Sequence, residues 1–151
     1  MPSDAEVIST LNNLIETCRD GQEGFRAAAE GVRSAELREL FEGYVLQRAS
    51  FVGELQDEVR RFGDDPEREG SIVASLHRGW MDLRAALEGG DDKVIVSECE
   101  RGEDFALNTY RSALGTDMPA SVRAMVERQF AEIKEAHNLI GNLASGSGAG
   151  A

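Results

Sequence analysis

The chain has 151 residues, enough for one domain with a closed core, and 28 acidic against 16 basic residues give it a formal charge of −12. A surface that acidic repels phosphate backbones, and no basic stripe offsets it, so nucleic acid is excluded as an expected partner. The two cysteines, Cys18 and Cys99, form no Cys-x-x-Cys spacing or disulfide framework. No apolar run approaches the ~20 residues of a membrane span, and the start, Met1-Pro2-Ser3-Asp4, lacks a basic region, so a cytoplasmic protein without membrane contact is expected.

Ser3 followed by Glu6 has capping-box spacing and opens the first expected helix, about 4–32. Its stripe is Ile8, Leu11, Ile15, Cys18, Phe25, Ala29 and Val32, with Gln22 interrupting it near the middle. Ser34 suits the cap of a second helix, 35–62, striped by Leu37, Phe41, Tyr44, Phe51, Leu55, Val59 and Phe62, with Arg48 at mid-length. Gly63 and Asp64-Asp65-Pro66 stop it. Ile72, Leu76, Trp80, Leu83 and Leu87 predict a shorter helix over 71–88, ended by Gly89-Gly90. Asp91-Asp92 favour the start of the next, 91–114, whose stripe reads Ile95, Cys99, Gly102, Ala106, Thr109 and Ala113. Pro119 fits the first turn of the last helix, 119–144, striped by Val122, Val126, Gln129, Ile133, Ala136, Ile140 and Leu143. Residues 1–144 are read as one bundle domain, and the Gly/Ser/Ala-rich residues 145–151 as a flexible tail.

Topology turns on residues 63–90. The tight turns near 32–35 and 115–118 make two antiparallel hairpins. A link between them long enough to travel back along the bundle makes the second and third long helices parallel, with an up-and-down array of five helices as the competing arrangement. The expected fold class is all-α, a four-helix bundle with a long crossover that contains an extra short helix.

Several local strings carry a resemblance: Asp20-Gly21-x-x-Gly24-Phe25, Arg48-x-x-Phe51-x-x-Glu54-Leu55, His77-Arg78-x-Trp80, and Glu98-Cys99-Glu100-Arg101-Gly102-Glu103-Asp104. Over roughly residues 6–143 the chain resembles DUF2383, the PA2169-like four-helix-bundle family of uncharacterised bacterial proteins. The resemblance implies a ferritin-like bundle and brings no activity with it.

Ferritin-like oxidases take a Glu from each of two helices and a Glu-x-x-His pair from each of the other two. Here the residue three before His77 is Ala74, and three before His137 is Lys134, so neither histidine completes that motif. The inward mid-helix positions are Gln22, Arg48, Gly102 and Gln129; amides are weak iron ligands and a guanidinium repels cations. Arg48 is expected to pair with Glu103, or failing that Glu98, with Gln22 or Gln129 taking its remaining donors. The expected central polar layer is therefore Gln22, Arg48, Glu103 and Gln129, and no catalytic residue is assigned.

A non-enzymatic bundle with a structural, stress-related or partner-binding role is the favoured reading, with no cofactor. The alternative is an iron- or manganese-binding protein with non-standard ligands, Glu98, Glu103 and His137. His77, Arg78 and Trp80 form a candidate niche on the crossover helix, in which Trp80 anchors that helix to the bundle. Met125 and Phe130 beside the last stripe and Phe105 beside the third widen the apolar faces, which points to a homodimer or another helix-mediated partner.

Overall fold

The computed structural model describes residues 3–66, 80 and 82–145. Helix α1 (Asp4–Gly31) opens on a reciprocal cap in which Ser3 Oγ accepts from the Glu6 amide at 3.1 Å while the Glu6 carboxylate accepts from the Ser3 amide at 2.9 Å. Helix α2 (Ala35–Arg61) is capped by Ser34, whose hydroxyl accepts from the Leu37 amide, and it ends on Arg60 and Arg61, which suit the negative end of the helix dipole. Gly63, at φ +85°, turns the chain away. The short α3 (Leu83–Gly89) stops at the left-handed Gly90, φ +68°. Asp91 then caps α4 (Asp92–Leu114) by accepting from the Lys93 amide at 2.9 Å, and Pro119 stands at the N-cap of α5 (Ala120–Ala144).

Two expectations shift. Pro119 precedes the last helix instead of lying in its first turn. The short helix does not run unbroken to residue 88 from 71, because Trp80 is non-helical and Asp82 is in a turn, so the helix begins at Leu83. Residues 71–79 and 81 lie outside the described residues, as do 146–151 of the expected tail.

The apolar side chains fall into two clusters stacked along the bundle. One joins Val7 to Cys18 of α1, Phe51 to Val59 of α2, Ala106 to Ala113 of α4 and Val122 to Ile133 of α5. The other joins Phe25 to Ala29 of α1, Phe41 of α2, Trp80, Leu83 and Ala86, Ile95 to Cys99 of α4, and Ile140 of α5. Both α2 and α4 therefore run from the second cluster to the first, parallel to one another. The segment between them returns the full height of the bundle, and the up-and-down array does not form. Asp92 pins the two ends together, its carboxylate accepting from the backbone amides of Arg33 at 2.8 Å and Ser34 at 3.0 Å.

Three glycines inside the helices, Gly21, Gly24 and Gly102, make room for two large side chains. Trp80, buried to 3 % exposure, lies between α1 and α4, edge-on to Phe25 at 5.2 Å. A Cβ at Gly24 would stand 2.5 Å from its indole, and one at Gly102 only 2.2 Å. Gly21 makes the same allowance for Arg48, whose Nη1 lies 2.9 Å from the position a Cβ would take. These glycines forgo helix propensity so that a wedge can enter.

Gly102→Ala should accordingly destabilise the protein by about 1–3 kcal/mol in denaturant melts, through overpacking against the indole. In a Trp80→Ala background the same change should cost nothing or add stability, because the coupling between the two sites is steric.

Candidate functional site

Arg48 projects from the middle of α2 into the interior, where it is fully buried. Its Nη1 donates to Glu103 Oε1 at 2.7 Å and its Nη2 to Glu103 Oε2 at 2.5 Å, a forked pair between α2 and α4. The guanidinium carbon lies 5.4 Å from the centroid of the Phe25 ring, and Nε donates to Gln47 Oε1 at 3.1 Å. Burial opposes the charged guanidinium, but the Glu103 carboxylate and its hydrogen bonds more than offset this, and the net shift is upward. Arg48 stays a cation in a dry layer.

A second polar group lies beside the first. Gln129 Nε2 donates to Glu54 Oε1 at 3.0 Å, and Arg128 donates to Glu54 Oε2 from the surface side. A carboxylate accepts only, so the amide nitrogen of Gln129 faces Glu54 and its oxygen faces Tyr110. Tyr110 then donates to Gln129 Oε1 at 2.6 Å, which leaves its own oxygen to accept from the Cys18 thiol at 3.1 Å. One surface carboxylate thus sets the direction of every hydrogen bond as far as the core.

Within this layer the expected members divide. Arg48, Glu103 and Gln129 are all fully buried, and Gln129 serves Tyr110 and Glu54, not Arg48. Gln22 is half-buried, and the side of α1 that faces Arg48 is formed by Gly21. The role expected of Gln22 and Gln129 as acceptors for Arg48 falls to Gln47.

The suggested metal ligands separate. Glu103 gives both oxygens to Arg48. Glu98, 6 % exposed, accepts through Oε1 from Arg101 at 2.9 Å, and Arg101 also holds Asp82 at 3.0 Å, tying the turn before α3 to α4. His137 sits toward the surface, with Nε2 2.6 Å from Asp104 Oδ1. Among the described residues no three His, Cys, Asp or Glu side chains come together in a way that could hold a metal ion. The donor set of the central layer does not suit iron or manganese either: a guanidinium, its own counter-ion, a thiol, a phenol and an amide. Of the crossover niche, Trp80 is the buried wedge described above, and His77 and Arg78 lie outside the described residues.

The match to known proteins agrees with this architecture. Residues 6–116 match the family described as "Domain of unknown function (DUF2383)". The chain belongs to the DUF2383 family. A solved two-domain protein from Anabaena variabilis, containing DJ-1/ThiJ/PfpI-like and ferritin-like domains, is similar to this DUF2383 chain with a TM-score of 0.78 at 14% identity. The match covers 95% of this chain and 40% of that one, and at such low identity it bears on the fold alone, which is ferritin-like. No curated protein matches the chain.

Tyr110 and Glu54 are the layer members that sequence spacing missed, while Cys18 stood on its inward stripe without an assigned polar partner. A stripe stepping by three or four residues runs through Thr109 or Tyr110 equally well, and the structure buries Tyr110 while Thr109 bonds back to the Phe105 carbonyl. The two thiols are not a redox pair. Gly24 and Gly102 share Trp80, and Cys18 meets Tyr110, so α1 and α4 run antiparallel. Cys99 therefore lies about nine residues along from Cys18, ~14 Å at 1.5 Å per residue, beyond the ~7 Å reach of a disulfide.

Glu103→Ala should cost about 3–5 kcal/mol in urea melts, because it strands the guanidinium in a dry layer. Replacing the whole pair, as in Arg48→Met with Glu103→Leu, should come close to neutral. If Glu103→Ala costs no more than a surface substitution, the pair does not hold the layer together.

The layer also predicts an alkaline limit. Burial pushes the Cys18 thiol from its ordinary value of 9.0 to about 11, the Tyr44 hydroxyl to about 12, and Cys99 and Tyr110 well upward. In each case the folded state holds its proton more tightly than the unfolded chain. This stabilisation is complete below about pH 9 and is lost as pH rises through the folded values. The melting temperature should therefore change little as pH approaches 9 from neutrality and fall steeply above it.

Proposed function

We propose that this protein is a non-enzymatic ferritin-like bundle of the cytoplasm, with a structural, stress-related or partner-binding role, its centre closed by an ion pair. The observation that carries this reading is the forked Arg48–Glu103 pair, fully buried at mid-height. A metal ion approaching Glu103 has to displace a bidentate guanidinium and then share a dry space with its positive charge. The nearby thiol and phenol are protonated at neutral pH, since burial moves both upward. The free, buried thiols fit a reducing compartment, and no helix among the described residues is long and apolar enough to cross a membrane.

The competing reading, iron or manganese held by Glu98, Glu103 and His137, requires those side chains to leave Arg101, Arg48 and Asp104 together. Ferrous iron added under air separates the two. Iron should oxidise no faster than in a protein-free blank, and neither iron nor manganese should raise the melting temperature. Stoichiometric metal in protein purified without a histidine tag or chelator would overturn the closed-centre reading.

A further inference from the structure

Trp80 and residues 82–90 are fastened to the bundle unevenly. Their apolar side is seated where glycines leave room: the indole lies over Gly24 and Gly102, and Leu87 lies over Gly31, where a Cβ would collide with its Cδ2. Leu83 and Ala86 are buried beside them. Polar fastening is sparse. Among the described residues one side-chain bond ties this stretch to a long helix, from Arg101 Nη1 to Asp82 Oδ2 at 3.0 Å, and both side chains are more than half exposed. Gly89 and Gly90, the second at φ +68°, join the stretch to α4.

The same Nη1 also donates to Glu98 Oε1 at 2.9 Å. Glu98 is 6 % exposed, and its other oxygen, Oε2, is buried with no hydrogen-bond partner among the described residues. A carboxylate oxygen stripped of water and left unbonded is strongly disfavoured. One Arg101 nitrogen thus serves two carboxylates, whereas a guanidinium facing Glu98 alone would place a nitrogen on each of its oxygens. Two contributions therefore oppose one another at this turn: apolar burial favours the seated indole, and the unbonded oxygen of Glu98 does not.

We propose that Trp80 and residues 82–90 form a releasable strap, with Arg101 as its latch and Gly89–Gly90 as its hinge. With the strap seated, Arg101 divides one nitrogen between Asp82 and Glu98. With it lifted, Asp82 lets go, and Arg101 forks onto both oxygens of Glu98. The indole then leaves an apolar cleft floored by Gly24 and Gly102 and walled by Phe25. No bond of the central layer changes, so the bundle stays closed at its centre while the cleft opens. This device goes beyond the closed-centre reading and does not rest on it.

Hydrogen exchange on the full chain tests the latch. A seven-residue helix lifted off its seat does not keep its hydrogen bonds, so the Ala86 and Gly90 amides, bonded to the Asp82 and Leu87 carbonyls, report the strap. Trp80 is the only tryptophan, so acrylamide quenching of its fluorescence reports the indole. Asp82→Asn should speed exchange at both amides by about two- to fivefold, as loss of an exposed ion pair implies, and should raise quenching. Glu98→Leu removes the unbonded oxygen and leaves Arg101 to Asp82 alone. It should slow the same amides by about tenfold and lower quenching. Helical circular dichroism and exchange within α1 and α2 should stay native in both variants. Exchange and quenching unchanged in Asp82→Asn overturn the strap, as does a change of the same sign in both variants. Iron uptake tests the closed-centre reading separately and leaves this inference untouched.

Discussion

A single buried charge pair constrains the interior of this bundle. Arg48 has to be neutralised where water cannot reach it, and only a carboxylate on the opposite side of the core, held in the fork of the guanidinium, does so completely. That requirement places Glu103 inward on α4 and fixes α2 and α4 in axial register. Accommodating the guanidinium then demands an absent side chain on α1, which is Gly21, and an aromatic face, which is Phe25. The same Phe25 meets Trp80, so the charge pair and the indole wedge are coupled through one ring. Gly24 and Gly102 follow from the wedge as Gly21 follows from the arginine.

The second polar group obeys the same logic with less energy at stake. Its four hydrogen-bonding side chains run from the surface at Glu54 to the thiol of Cys18, and the two between them, Gln129 and Tyr110, each donate to one neighbour and accept from the other. Because the carboxylate end accepts only, the series has one direction, and every buried group in it is satisfied. Such an arrangement favours a unique, stiff packing over reactivity. The thiol and the phenol are held protonated, and their protons are already committed to acceptors.

The helical architecture was legible because its signals are periodic and local. Ser3–Glu6 and Ser34 act as the caps their spacing announces, Gly63 and Gly90 adopt the left-handed turns that glycine permits, and the length between the hairpins favours the return crossover that the parallel course of α2 and α4 bears out. The Arg48–Glu103 pairing was legible for a thermodynamic reason: a cation at an inward position demands a carboxylate, and Glu103, next to the inward Gly102, was the first candidate on the facing helix, ahead of Glu98. What failed was rotation by one residue. A stripe stepping by three or four positions admits Gln22 in place of Gly21 and Thr109 in place of Tyr110, and both alternatives look equally amphipathic on paper. The break before Leu83 was not legible either, since the periodicity of Trp80 with Leu83 continues across a turn that places the indole between α1 and α4.

Helix α2 presents two unlike faces at one level. Arg48 is locked inward by bonds to Glu103 and Gln47, while Leu46, two residues earlier, is 72 % exposed. Locking the inner face makes the outer face rigid, and a rigid face loses little conformational entropy when something packs against it. Ferritin-like bundles that act at their centre need open coordination positions there, whereas in this chain the central carboxylate is saturated and the neighbouring donors are protonated. Chemistry at mid-height would require breaking the interaction that holds the helices in register. A bundle built in this way can act most readily through its surface, where Leu46 of α2 stands 72 % exposed.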